Sequence, residues 1–122
     1  MIWIESAIIL PQENRMTPQE TLSQAQALYR EWLKLQPKLE AAEQTWLRSA
    51  EIMRQLQAFY FNGAYADLRQ REENGELLDT RTEGEYSVLS EDAIWNAVHE
   101  HQALAWQRVR GSLKILDPDN QV

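Results

Sequence analysis

The sequence predicts an all-α fold: a small antiparallel helical bundle of three long helices plus one short helix. Apolar residues recur at steps of three and four residues in three long stretches, which is the period of an α-helix. Residues that cap or end helices stand at the borders of these stretches. The 122 residues include only four Gly and four Pro, fewer turn-forming residues than a β fold of this size requires.

The first long helix is predicted to begin after Thr17. Thr17 can cap the helix, Pro18 stands where a missing N–H costs nothing, and Glu20 completes a capping box. Its apolar stripe consists of Leu22, Ala25, Tyr29 and Trp32. Because the residue before a proline avoids the helical conformation, Pro37 predicts that this helix ends or kinks at about residue 35 or 36.

The second long helix is predicted from Pro37 to Phe61, where Asn62-Gly63 favours the left-handed conformation that ends helices. Its stripe consists of Leu39, Ala42, Trp46, Met53, Leu56 and Tyr60. A short third helix over residues 64–73 follows, closed by Asn74-Gly75.

An acidic loop over residues 76–88 then leads to the last helix. Ser90 is predicted to cap this helix, with Glu91 and Asp92 in its first turn, where negative charge is favoured. Its stripe consists of Trp95, Val98, Gln102, Ala105, Val109, Leu113 and Leu116. Asp117-Pro118 is predicted to end it.

The chain is long enough for one hydrophobic core, which we assign to a helical bundle domain over residues 17–116. Residues 1–16 are an apolar N-terminal extension, expected to be either disordered or packed as an accessory segment. This extension lacks the basic start of a signal peptide and is too short to span a membrane. Residues 117–122 form a polar tail.

Two composition features bear on the core and the compartment. The helical period places Trp32, Trp46 and Trp95 in the core. The sequence has no cysteine, which excludes disulfides and thiolate metal sites and is typical of a cytoplasmic protein.

The net charge of −7 is concentrated in one part of the chain. Between Asp67 and Glu100 there are ten acidic residues and three Arg, and the remaining residues balance. The acidic residues are Asp67, Glu72, Glu73, Glu76, Asp79, Glu83, Glu85, Glu91, Asp92 and Glu100. This balance argues against direct binding to nucleic acid or to an anionic membrane, and it favours a basic protein partner.

No catalytic, metal or cofactor site is predicted. His99 and His101 are two residues apart, so on a helix they point in nearly opposite directions and cannot share one metal ion. Glu91 and Asp92 are explained by the helix start that they flank. The four glycines are isolated, so the sequence contains no phosphate-binding loop.

The strongest candidate for a protein-contact face lies in and before the acidic loop. It comprises Glu72, Glu73, Glu76, Glu83, Glu85 and Tyr86, and we call it the acidic contact face. Tyrosine is favoured in protein interfaces. A simpler interpretation of this segment is that Val88 and Leu89 hold the loop against the last helix.

Residues from about 36 to 110 resemble a bacterial family, domain of unknown function 4298. Its clearest motif here runs Val88-Leu89-Ser90-Glu91-Asp92-Ala93-Ile94-Trp95-Asn96. Further similarity lies in Leu35-Gln36-Pro37-Lys38-Leu39, Phe59-Tyr60-Phe61 and Asn74-Gly75-Glu76-Leu77. The resemblance implies a small helical protein and implies no particular activity.

These observations lead to two functional hypotheses. The first is a non-catalytic protein–protein interaction module that binds another protein or a second copy of itself. The alternative is an inhibitor or immunity-type protein that blocks a basic nucleic-acid-binding partner by acidic charge mimicry.

Overall fold

The computed structural model describes residues 15–119, and three helices hold about three quarters of them. They are α1 (Pro18–Phe61, 44 residues), α2 (Ala64–Glu73, 10 residues) and α3 (Ala93–Leu116, 24 residues). Over residues 15–119 no strand forms, and the only β-type pairing is an isolated bridge between Thr82 and Glu85. The predicted all-α class is confirmed.

The start of α1 agrees with the sequence. The backbone N–H of Glu20 donates to the Thr17 hydroxyl over 3.1 Å, so Thr17 caps the helix. The N–H of Thr21 donates to the Thr17 carbonyl as the first helical hydrogen bond.

Of the two outcomes predicted at Pro37, an end of the helix is wrong, because α1 continues through this residue. The two long helices expected on either side are therefore one. Pro37 removes the N–H that would bond the Leu33 carbonyl, but both residues are exposed, so water can satisfy that carbonyl. A hydrogen bond of 2.7 Å from the Gln36 amide to the Glu40 carboxylate also links the turns around the proline.

The end of α1 and the bounds of α2 match the prediction. Gly63 adopts a left-handed φ of 98° between the two helices. Gly75 does the same after α2, with a φ of 86°. There the N–H groups of Gly75 and Glu76 donate to the carbonyls of Glu72 and Arg71, a Schellman motif.

The predicted cap of the last helix is wrong by two residues. Ser90 lies in a turn in which its N–H donates to the Ser87 carbonyl and the Leu89 N–H donates to the Ser87 hydroxyl. Helix α3 begins at Ala93, with Asp92 at the cap position but without a side-chain capping bond. The local turn at Ser87 competes with the helix for these backbone groups. The predicted end at Asp117 is confirmed.

The chain divides into two compact units, Met1–Thr45 and Trp46–Val122. In the first unit the described residues are those from 15 to 45, and the large apolar side chains of α1 there are exposed. Trp32 is among them, so its predicted core position is wrong. Most of the predicted N-terminal extension, residues 1–14, lies outside the described residues.

The second unit contains the core. Leu89 and Ile94 are 7% and 4% exposed, the only buried apolar residues among those described. Around them, Tyr65 forms ring contacts with Tyr60 at 4.7 Å and with Phe59 at 6.2 Å between centroids.

The remaining two tryptophans of the predicted core differ in environment. Trp46 is half-buried and stacks on His101 at 4.6 Å, with the Arg108 guanidinium 4.4 Å from its ring. Trp95 is exposed, because the neighbouring Ile94 takes the inward position at the start of α3.

None of the described helices combines the length and the apolar composition that crossing a bilayer requires.

Candidate protein-contact face

The last turn of α2 carries the first two residues of the acidic contact face. Glu72 and Glu73 are exposed, and neither forms an ion pair in the described part of the chain. The Schellman motif after them ends the helix and turns the chain towards the acidic loop. Both carboxylates therefore face solvent, and no ion pair in the described residues compensates their negative charge.

Glu76 differs from the other members of the face. The Arg71 guanidinium donates to Asp67 over 2.9 Å and to Glu76 over 3.3 Å. The hydrogen bonds to Asp67 and then to Glu76 raise the pKa of Arg71 above its ordinary value. The charge of Glu76 is thus partly compensated by Arg71, which it shares with Asp67, and it is the weakest member of the predicted face.

A tight turn presents Glu83 and Glu85. The N–H of Glu85 donates to the Thr82 carbonyl over 3.1 Å, which leaves Glu83 and Gly84 at the tip. Gly84 has a φ of 79°, a conformation that a side chain would strain. Both carboxylates are exposed on either side of this glycine.

Tyr86 follows this turn and is 90% exposed. It lines an open groove of about 370 Å³ together with Glu85, Asp79 and the apolar side chains of Leu68 and Val88. An aromatic ring, two carboxylates and an apolar floor therefore meet in one place. The structure joins Glu85 and Tyr86 in this groove, whereas Glu72, Glu73, Glu76 and Glu83 do not line it.

The loop that carries the groove is anchored to α2. The Arg69 guanidinium donates to the Leu89 carbonyl over 2.7 Å, and the Tyr65 hydroxyl donates to the same oxygen over 3.4 Å. Leu89 is buried, as expected for a residue that holds the loop in place, but Val88 remains exposed. Arg69 was not among the functional residues predicted from the sequence. The available indication was that Arg69 is one of only three basic residues in the acidic region.

The two histidines lie in separate environments. The His99 Nδ1 lies 2.9 Å from the Trp95 carbonyl, a bond in which the nitrogen is the donor. His101 stacks on Trp46, and its Nε2 lies 3.1 Å from the Ser49 hydroxyl. Over residues 15–119 no group of three potential metal-ligating side chains comes together.

A second groove, of about 330 Å³, was not predicted. Its lining is mostly apolar and includes Tyr60, Phe61, Ile94, Trp95, Val98 and His99. The sequence assigned Trp95 to the core because it fits the helical period, but Ile94, Val98, His101 and Ala105 fit that period equally well. This competing stripe was the available signal that Trp95 lies at the surface.

Comparison with known proteins assigns a family. No curated protein and no solved structure matches the chain. The model of one protein family, described as domain of unknown function (DUF4298), matches residues 22–110. The match includes the motif around Ser90 and extends over much of α1, all of α2 and most of α3. Since it covers well over half of the chain, this protein belongs to the DUF4298 family.

Proposed function

We propose that this protein is a non-catalytic interaction module whose acidic contact face binds a basic segment of a protein partner. The observation that carries this proposal is the groove at Tyr86, where an almost fully exposed aromatic ring lies beside Glu85 and Asp79. Exposed tyrosines with nearby carboxylates suit an arginine or lysine side chain, which contacts the ring face and the negative charge together.

The charge distribution supports the same partner chemistry. Of the ten acidic residues between Asp67 and Glu100, two are bound by Arg71. The guanidinium of Arg69 is directed to a backbone carbonyl instead of to a carboxylate. The region therefore keeps most of its negative field, which speeds association with a positively charged partner.

The anchoring of the loop supports binding without a large ordering cost. Arg69 and Tyr65 hold the Leu89 carbonyl, and the turn at Gly84 is closed by a backbone hydrogen bond. A surface that is held in place before binding loses less conformational entropy on association.

We infer that α3 and the second part of α1 pair as antiparallel neighbours in this module. His101, in the middle of α3, contacts Trp46 and Ser49, whereas Ile94 near its start shares a groove with Tyr60 close to the end of α1.

A reducing, cytoplasmic location suits a sequence without cysteine.

The test is affinity capture of partners from the native host, followed by binding measurements with the purified partner. Glu83→Lys/Glu85→Lys should weaken binding at least roughly ten-fold, because two favourable charges become repulsive. Glu20→Lys/Glu40→Lys makes the same change in net charge at exposed positions outside both the face and the acidic region, and should bind almost as the unmodified protein does. Equal losses in the two variants would mean that only net charge matters.

The identity of the captured partner decides between the two functional hypotheses. A nucleic-acid-binding protein that is released by added nucleic acid would favour inhibition by charge mimicry. A partner whose binding is insensitive to nucleic acid would favour a general interaction module.

A further inference from the structure

We propose that the first part of α1 is a self-association surface, on which a second copy of this chain packs antiparallel. The surface consists of Ala25, Leu28, Trp32, Leu35, Leu39 and Ala42, which we call the N-terminal seam. It lies in the first unit, away in sequence from the acidic contact face, so this inference does not depend on the proposed function.

The spacing of the N-terminal seam is that of a helix-pairing surface. Its residues alternate steps of three and four, the pattern by which one face of a helix meets a second helix. The same alternation continues in the second unit through Trp46, Ser49, Met53, Leu56 and Tyr60, all of which are half-buried. In that unit Trp46 and Ser49 contact His101 of α3.

The N-terminal seam shows the same pattern without the burial. All six of its residues are exposed. With the adjacent Leu22 and Tyr29, its large side chains expose apolar surface on the order of 600 Å², close to the roughly 800 Å² per partner of a standard interface. A patch of this size is at the upper limit for a monomer and is typical of an interaction site.

The residues of the seam are complementary to themselves when two copies run antiparallel. Placing Trp32 opposite the second copy's Leu35 also places Leu28 opposite Leu39 and Ala25 opposite Ala42. This follows because the two residue numbers of each pair have the same sum, which is the condition for residues to face each other between antiparallel helices. Large side chains then meet large ones in the centre, and small ones meet small ones at the ends. Such self-complementarity is what a two-fold symmetric interface requires.

The charges beside the seam are compatible with the same arrangement. Glu31 and Lys38 occupy equivalent flanking positions one heptad apart. In the antiparallel pairing, Glu31 of each copy lies opposite Lys38 of the other, which forms two attractive pairs. In a parallel pairing, Glu31 would lie opposite Gln36 and Lys38 opposite Glu43, so charge alone does not choose the direction, but the two bulky Trp32 rings would then meet in one layer. Pro37 falls on the side of the helix away from the seam and does not obstruct the contact.

The first test is the molar mass of the full chain in solution, measured by sedimentation over a range of concentrations. We expect a reversible dimer. Leu35→Ala should weaken it roughly ten-fold or more, because Leu35 lies in the centre of the seam. Leu33→Ala is the matched control: it is 52% exposed against 47% for Leu35 but lies off the seam, and it should leave the dimer unchanged.

The second test reverses charges. Glu31→Lys and Lys38→Glu should each weaken the dimer several-fold, and the double variant should restore it, because the two opposite pairs are then exchanged. Failure of the double variant to restore the dimer would overturn the antiparallel arrangement. A chain that is monomeric at all concentrations would overturn the proposal. A chain that dimerises only after residues 1–14 are removed would also overturn it and would assign the seam to that segment.

Discussion

At the residue scale, the shortest side-chain hydrogen bond that anchors the loop with the groove at Tyr86 comes from Arg69. Arg69 is half-buried, and its guanidinium donates a hydrogen bond to the Leu89 carbonyl, although ten acidic residues lie in the same region of the sequence. A guanidinium bound to a backbone oxygen gives a stronger bond than a neutral donor. Arg69 therefore fixes the buried end of the loop, and the exposed end carries Glu85 and Tyr86 of the acidic contact face.

Replacing this side chain tests the anchor. Arg69→Ala should lower the free energy of unfolding by about 1.5–3 kcal/mol, the usual loss when a hydrogen bond from a charged group disappears. Chemical denaturation measures this change. Arg81→Ala is the control, because Arg81 is exposed and its side chain forms no hydrogen bond in the described residues, so its midpoint should not move. Equal midpoints for the two variants would contradict the anchoring role.

Glu51 provides a pH-dependent test within α1. Hydrogen bonds from Arg54 and then from Gln55 lower the pKa of Glu51 to about 2. A carboxyl group whose pKa falls on folding stabilises the folded state above its ordinary value of 4.5, and this contribution is lost as the pH falls towards 2. An NMR titration should find this low pKa, and Arg54→Ala should raise it towards 4.5. A Glu51 pKa that Arg54→Ala leaves unchanged would show that the pair does not form in solution.

At the element scale, helix starts and stops were predictable where a side chain or a glycine determines them. Thr17 caps α1, and Gly63 and Gly75 adopt the left-handed conformation that ends helices, because these effects are local. The break at Pro37 was not predictable, since a proline costs one hydrogen bond that exposed backbone recovers from water. The start of α3 was misplaced because a turn at Ser87 competes with the Ser90 cap.

Pro37→Ala tests why α1 is continuous. Alanine restores the N–H that bonds the Leu33 carbonyl and is the stronger helix former, by up to about 3 kcal/mol in a helix interior. We expect slower amide hydrogen exchange for residues around position 37 and no loss of global stability. Faster exchange there would mean that the helix requires the proline for a reason other than its backbone geometry.

At the scale of the whole molecule, the position of the core was only partly predictable. The helical period identified the apolar face of α1, but a period cannot tell whether another element covers a face, and in α3 two overlapping stripes fit it. Trp32 and Trp95 fit the period and are exposed. Leu89 is buried although it lies in a loop, where no helical period applies. The acidic contact face was predictable in composition, but the groove at Tyr86 depends on tertiary contacts, and the pairing of Glu76 with Arg71 depends on the local geometry of the Schellman motif.

The proposed binding of a basic partner by the acidic contact face is tested most directly by the association rate constant as a function of ionic strength. With the purified partner, the account predicts a rate that falls steeply as salt rises, because salt screens the field of the carboxylates. Glu83→Lys/Glu85→Lys should associate more slowly and with a shallower salt dependence than Glu20→Lys/Glu40→Lys. Identical rates and identical salt slopes for the two variants would contradict the account, and the binding surface would then lie elsewhere on the molecule.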